Sequence, residues 1–298
     1  MSTSRVFPAT GHRLRFGTRT LPAERAAVMA IINRTPDSFY DRGATYADGA
    51  ALTAVDCAVD EGADIVDIGG VKAGPGDDVG VAEETRRVVP FIATVRERHP
   101  ELLISVDTWR HEVAGPALSA GADILNDTWG GVDPKLAEVA AACGCGVVCS
   151  HTGGARPRTR PHRVRYTDVV RDVADDLVAQ AERLVTLGVP KEAILIDPTH
   201  DFGKNTWHGL ELLRRCDELI ATGWPVLMAL SNKDFIGETL GTGVDERVEG
   251  TLAATALAAW AGVRVFRAHQ VRQTRRVLEM VASIAGTRPP SRAVRGLA

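Results

Sequence analysis

Short apolar runs and longer amphipathic stretches alternate along this chain. Runs at 27–32, 64–68, 102–106, 123–125, 146–149, 193–196, 225–230 and 263–267 have the length and the Val/Ile content of buried strands. Between them, stretches at 50–60, 82–96, 112–120, 134–142, 168–187, 210–221, 246–261 and 272–284 place apolar residues at the helix period. Eight strand–helix pairs over about 250 residues match the length of a closed parallel barrel. A doubly wound sheet is the competing layout, but no Gly-x-Gly-x-x-Gly follows the first run. The pattern predicts a single-domain TIM (β/α)8 barrel over residues 1–285. A hairpin at 13–21, with Phe16-Gly17-Thr18 inside it, is expected to cap the barrel floor, and 286–298 reads as a flexible tail.

Barrel active sites form at the C-terminal ends of the strands, where the βα loops converge. The residues at the predicted tips are Asn33, Asp67, Asp107, Asn126, His151, Asp197, Ser231 with Lys233, and Arg267 with His269. Burying such groups without partners is costly, so they are poor core material. Capping of the following helix accounts for one or two of them. It does not account for the whole ring.

Composition narrows the field. With 35 basic and 38 acidic residues the net charge is −3, which gives no electrostatic pointer to nucleic acid or an anionic membrane. No stretch approaches the roughly 20 apolar residues of a membrane helix, and Met1–Ser4 lacks a secretory layout, so a cytoplasmic protein is expected. Five cysteines form no disulfide framework; Cys143, Cys145 and Cys149 lie close in sequence but lack a second ligand pair and read as free thiols. Arg156, Arg158, Arg160, Arg163 and Arg165 mark a basic loop, either a solvated loop or an anion- or partner-binding surface.

Asp107, Asn126 and Asp197 offer carboxylate and amide groups suited to a flat heterocycle with several N–H donors, and Lys233 suits the ring's acceptors. Asn33, Arg267 and His269 fall on strands that are neighbours in a closed barrel; their chemistry suits an anion, with the Asn33 oxygen available to magnesium. A purine- or pterin-like ring with a phosphate tail fits both halves.

The segment from Met29 through Asn33 to Phe39 resembles the first signature of dihydropteroate synthases, and Asp64 to Gly70 resembles the start of the second. Ser105–Thr108, Ala122–Asp127, Ile196–Pro198 with Phe202-Gly203-Lys204, Ser231–Lys233 with Phe235–Gly237, and Arg267–His269 continue in the family's order. The resemblance covers residues 13 to 285. It implies that Asp107, Asn126, Asp197, Phe202 and Lys233 bind the pterin, and that Asn33 holds Mg2+ with a diphosphate gripped by Arg267 and His269. Lys233, Arg267 and His269 are then the catalytic candidates. The family joins 6-hydroxymethyl-7,8-dihydropterin diphosphate to p-aminobenzoate in folate biosynthesis, releasing diphosphate, and the resemblance also implies a homodimer.

The chain departs from that pattern where the second substrate should dock. The family's Glu-Ser-Thr-Arg-Pro-Gly is here Val71-Lys72-Ala73-Gly74-Pro75-Gly76, and its Ser-Arg-Lys-Ser is Ser231-Asn232-Lys233-Asp234. Thr199-His200-Asp201 replaces a Gly-Ile-Gly, Ser150 a Met, and Arg34 a small apolar residue. An Asp234 facing the aminobenzoate carboxylate would oppose binding by about 5–7 kcal/mol, from a lost charge-assisted hydrogen bond and like-charge repulsion. Ala73, Gly74, Asn232 and Asp234 thus mark an altered second-substrate site. The reading is a divergent paralogue with little or no dihydropteroate synthase activity. Its alternatives are an active synthase with compensating loops, a methyltransferase-type pterin domain, and a non-catalytic binding or regulatory partner.

Overall fold

The computed structural model describes residues 14–35, 48–159 and 165–295. Residues Met1–Ser4, Arg13, the first-signature residues Pro36, Asp37, Ser38 and Phe39, and Arg160 and Arg163 of the basic loop lie outside the described residues.

Strands β1 (Arg15–Phe16) and β2 (Arg19–Thr20) form the N-terminal hairpin. The barrel then runs through β3 (Ala27–Asn33), α1 (Asp48–Asp60), β4 (Ile65–Gly69), α2 (Val81–Arg98), β5 (Leu103–Asp107), α3 (His111–Ser119) and β6 (Ile124–Asp127). It continues through α4 (Lys135–Cys143), β7 (Gly146–Ser150), α5 (Val169–Leu187), β8 (Ile194–Asp197), α6 (Thr206–Arg214) and α7 (Cys216–Ala221). Strand β9 (Leu227–Met228), α8 (Asp234–Leu240), α9 (Val248–Ala261), β10 (Val265–Ala268) and α10 (Val271–Ile284) complete it. Strands β3 to β8 pair in sequence order, and β10 lies between β3 and β9. A parallel bridge between Ile196 and Val226 joins the two ends, giving the predicted eight-stranded parallel barrel.

Period-two alternation divides the apolar residues into two cores. Val28, Ala30, Ile32, Val66 and Ile104 face the helices. Met29, Ile65, Leu103, Ile124, Leu195 and Val265 fill the barrel together with Leu14, Phe16 and Leu21 of the hairpin. The hairpin is therefore the floor plug the sequence predicts. Gly146 makes room for it: a Cβ there would stand 2.4 Å from the Phe16 ring.

Three elements differ from expectation. The stretch 210–221 is two helices, because Arg215 leaves helical geometry at φ −113° and ψ 27° while its guanidinium gathers Asp168, Glu211 and Glu218. The apolar pattern continues across the break, since one non-helical residue does not move the side chains to another face. The expected strand at 225–230 shortens to Leu227–Met228. Helix α8 has seven residues, too few to show a helical period in sequence. In the tail, Thr287 Oγ1 donates to the Glu24 carbonyl at 2.8 Å.

Candidate active site

A cavity of about 520 Å³ opens at the C-terminal end of the barrel. Asn33, Asp107, Asn126, Asp197, Phe202, Lys233, Arg267 and His269 all line it, as do Ala73, Gly74 and Asp234. Strand register explains the gathering: Asn33 pairs with Gly69, Gly69 with Asp107, and Asp107 with Asn126. Each is the last inward residue of its strand.

Beneath the cavity lies a buried polar network. Arg267 donates from Nε to Asp67 Oδ2 at 2.6 Å and from Nη2 to Asp107 Oδ2 at 3.1 Å. Asp67, fully buried, also accepts from Ser105 Oγ at 2.6 Å and Asn126 Nδ2 at 3.1 Å. Asp67 was expected at a strand tip, but β4 extends two residues beyond it, which puts it one inward layer below the cavity. It organises the site from below. The Arg267 guanidinium, expected to be devoted to an anion, is committed to two carboxylates through two of its five N–H donors. Its role is therefore shared between holding the floor and facing the cavity.

The pterin-side groups are oriented by neighbours. Asp107 Oδ1 accepts from Thr128 Oγ1 at 2.6 Å, and Asp197 Oδ1 accepts from the Thr199 N–H at 2.8 Å. Burial raises both carboxyls to about 6; for Asp107 the nearby Asp67 adds to the effect and Arg267 opposes it. Asn126 spends its amide N–H on Asp67, which orients its other polar atom, the carbonyl oxygen. Phe202 packs on the buried Trp129 with ring centroids 4.4 Å apart. Gly203 allows this placement: at φ 62°, a Cβ would meet the Thr152 carbonyl at 2.4 Å.

His269 is half-buried, and its surroundings favour the neutral imidazole. Its Nδ1 lies 2.9 Å from Ser231 Oγ, and burial with the Arg267 charge lowers it to about 3. It can contribute a hydrogen bond to an anion but not the positive charge an anion clamp calls for. His151, read as a tip residue, is buried against Lys204, whose Nζ stands 2.8 Å from His151 Nδ1 and 3.0 Å from the His151 and Phe202 carbonyls. This lysine ties the loops after β7 and β8 together, a role the sequence did not reveal.

The second-substrate side differs most from expectation. Asp234 reaches the mouth, but its carboxylate accepts from Arg247 Nη1 at 2.8 Å and its side chain is 72% exposed. An arginine from the start of α9 thus neutralises it, and the repulsion expected of a bare Asp234 is largely removed. Asn232 is wholly buried at φ 56°, a conformation asparagine tolerates, and its Nδ2 donates to Gln270 Oε1 at 3.3 Å. It is not a lining residue of the cavity. A further carboxylate at the cavity, Asp201, forms an ion pair with Lys233. His200 beside it stacks on Phe235 with centroids 5.3 Å apart, lines the cavity, and has no hydrogen-bond partner for either ring nitrogen among the described residues. Thr199 holds this loop at φ 44° through its bonds to Asp197 and the His151 carbonyl. The only sequence signal for these roles was the replaced Gly-Ile-Gly.

Elsewhere, Arg34 pairs with Asp48 and lies over the Phe91 ring at 4.6 Å. Arg158 of the basic loop donates to the Asp77 carbonyl, joining the loops after β7 and β4. Cys145, Cys149 and Cys216 are buried thiols; Cys57 and Cys143 are exposed.

The family model for pterin binding enzymes matches residues 29–269. The inactive dihydropteroate synthase 2 of Mycobacterium leprae (strain TN) is 66% identical over 284 residues, covering 94% of this chain and 98% of that protein. A Yersinia pestis dihydropteroate synthase, solved with a sulfonamide drug complex, matches with a TM-score of 0.87 at 32% identity over 93% of this chain and 100% of that one. The structure of Mycobacterium tuberculosis Rv1207 matches at 51% identity with a TM-score of 0.69, over 91% of this chain and 98% of that one. With its matched barrel, its cavity and its order of motifs, the chain belongs to the pterin-binding enzyme family.

Proposed function

We propose that this protein binds a pterin or pterin diphosphate in the barrel mouth and has little or no dihydropteroate synthase activity. Asp107, Asn126 and Asp197 meet the ring's N–H groups, Phe202 packs against it, and Lys233 faces its acceptors. The observation that carries the loss of synthase activity is the Asp201–Lys233 ion pair. It sets a second acidic side chain beside Asp234 on the side of the cavity where the aminobenzoate carboxylate would dock, next to a lysine that is already paired. The relative from Mycobacterium leprae, named an inactive dihydropteroate synthase 2, supports the same reading.

The diphosphate end is formed by Asn33, Arg267 and His269. Asn33 fits Mg2+, which keeps most of its waters and takes one or two protein oxygens together with phosphates. Bound there, the ion would neutralise diphosphate charge; Arg267 and His269 would orient that anion by hydrogen bonds. Location in the cytoplasm agrees with the described residues, where no helix is long and apolar enough to cross a membrane. Pairing as a homodimer is supported by Leu257 and Trp260 on α9 and Met280 and Ile284 on α10, all large apolar residues left exposed.

Calorimetric titration with 6-hydroxymethyl-7,8-dihydropterin diphosphate, with and without Mg2+, tests the binding; turnover with p-aminobenzoate tests the loss. Binding that Mg2+ strengthens, without turnover, is expected. Robust turnover at micromolar substrate, or no pterin binding, overturns the proposal.

A further inference from the structure

The anion end of the cavity has no surplus of positive charge among its strand-tip residues. Asn33 is uncharged, and burial with the Arg267 charge lowers His269 to about 3, so its imidazole is neutral. Arg267 brings one positive charge but answers both Asp67 and Asp107. A phosphate or diphosphate tail carries several negative charges, so these groups orient it without neutralising it. Two of the other lining cations face elsewhere. Lys233 is held by Asp201, and Lys204 Nζ lies within 3.0 Å of His151 Nδ1 and of the His151 and Phe202 carbonyls.

The remaining described cation of the lining is Lys72, and the fold sets it beside Asn33. Asn33 pairs with Gly69, and the Arg34 N–H donates to the Gly69 carbonyl at 2.7 Å, so the loops leaving β3 and β4 start side by side. Lys72 follows Gly69 by three residues, is half-buried, and lines the cavity with Asn33, Thr35 and Gly74. Its stem folds over position 74: a Cβ there would lie 3.8 Å from Lys72 Cε, an ordinary contact distance. The end of the lysine therefore covers the ground next to a residue that has no side chain of its own. An ammonium on such a stem keeps its head in water at the rim and turns its donors to suit phosphate oxygens.

We propose that Lys72 supplies the positive charge of the anion end and makes the barrel mouth selective for a ligand with a phosphate or diphosphate tail over the same ring without one. This rests on the diphosphate reading above and assigns its charge to a residue outside the strand tips. Lys72 acts by direct charge-assisted hydrogen bonding to the tail and makes no contact with the ring.

The test titrates the full chain by calorimetry with inorganic diphosphate and, separately, with 6-hydroxymethyl-7,8-dihydropterin. Mg2+ is left out, so that every positive charge is the protein's own. Lys72→Ala should weaken diphosphate at least about tenfold, and Lys72→Arg should stay within about threefold of the wild type. The uncharged pterin should bind all three proteins within about twofold. Raising ionic strength from about 0.1 to about 1 M shortens the screening length from about 10 to about 3 Å, so the gap between wild type and Lys72→Ala should narrow. Unchanged diphosphate affinity in Lys72→Ala, no diphosphate binding by the wild type, or a Lys72→Arg protein as weak as Lys72→Ala overturns the proposal. Wild-type protein that binds diphosphate but not the uncharged pterin sinks the pterin reading and leaves the role of Lys72 standing.

Discussion

Arg267 Nε donates to Asp67 Oδ2 at 2.6 Å inside the barrel, one layer below the cavity it serves. Asp67 has no solvent exposure, and Arg267 has 17%. Removing this buried carboxylate leaves Arg267 with Asp107 alone and takes the acceptor from Ser105 Oγ and Asn126 Nδ2 as well. Asp67→Ala should therefore destabilise the fold by about 3–5 kcal/mol. Denaturant unfolding measures this, and a loss below about 1 kcal/mol would show that water reaches Arg267.

Pterin affinity should depend on pH through Asp107 and Asp197. Burial raises both carboxyls to about 6, and protonation turns one acceptor oxygen of a carboxylate into a donor that faces the ring's N–H groups. Affinity should rise as pH increases through about 6 and level off above it, with about a tenfold difference between pH 5 and pH 7 for each carboxyl and about a hundredfold for the two together. Titration calorimetry across that range checks the curve. A flat profile contradicts the assigned contacts.

Lys204 makes stability pH-dependent in a different window. Burial lowers its ammonium to about 7, against an unfolded value near 10.4. Between those values the unfolded chain holds the extra proton, so this lysine's contribution to stability rises as pH goes from about 7 toward 10. Comparing the wild-type protein with Lys204→Met at about pH 7 and about pH 9 isolates it, because the other titrating groups are shared. The wild type should gain on the variant as pH rises. A constant gap would falsify the assignment.

His200→Leu carries a thermodynamic expectation. Two buried ring nitrogens without partners among the described residues cost stability, so an apolar side chain there should raise the unfolding free energy by about 1–2 kcal/mol. A less stable variant would show that the imidazole has a structural partner in solution.

Restoring the family's serine at position 234 alone should not restore synthase activity. Asp234 is exposed and already neutralised by Arg247, so Asp234→Ser leaves the Asp201–Lys233 pair in place. Product formation with the pterin diphosphate and p-aminobenzoate is the measurement, and a large gain in turnover would return the blocking role to Asp234.

The sequence by itself determined the barrel and the ring of polar residues around its mouth. Strand period, helix period and strand count are local properties of the chain, and each inward tip residue follows from alternation along its own strand. That is why Asn33, Asp107, Asn126, Asp197 and Arg267 were legible together, while Lys233 and His269 lie beyond the ends of β9 and β10 and were read from their motifs. Partner choice was not legible, because it depends on loops and strands far apart in sequence. Asp201 meets Lys233 from 32 positions away, Arg247 meets Asp234 from 13, and Arg267 meets Asp67 from 200. Whether a charge is bare or compensated is settled by distances across the cavity and by exclusion of water. Tertiary structure alone fixes these, and here it pairs Asp234 with Arg247 and Lys233 with Asp201.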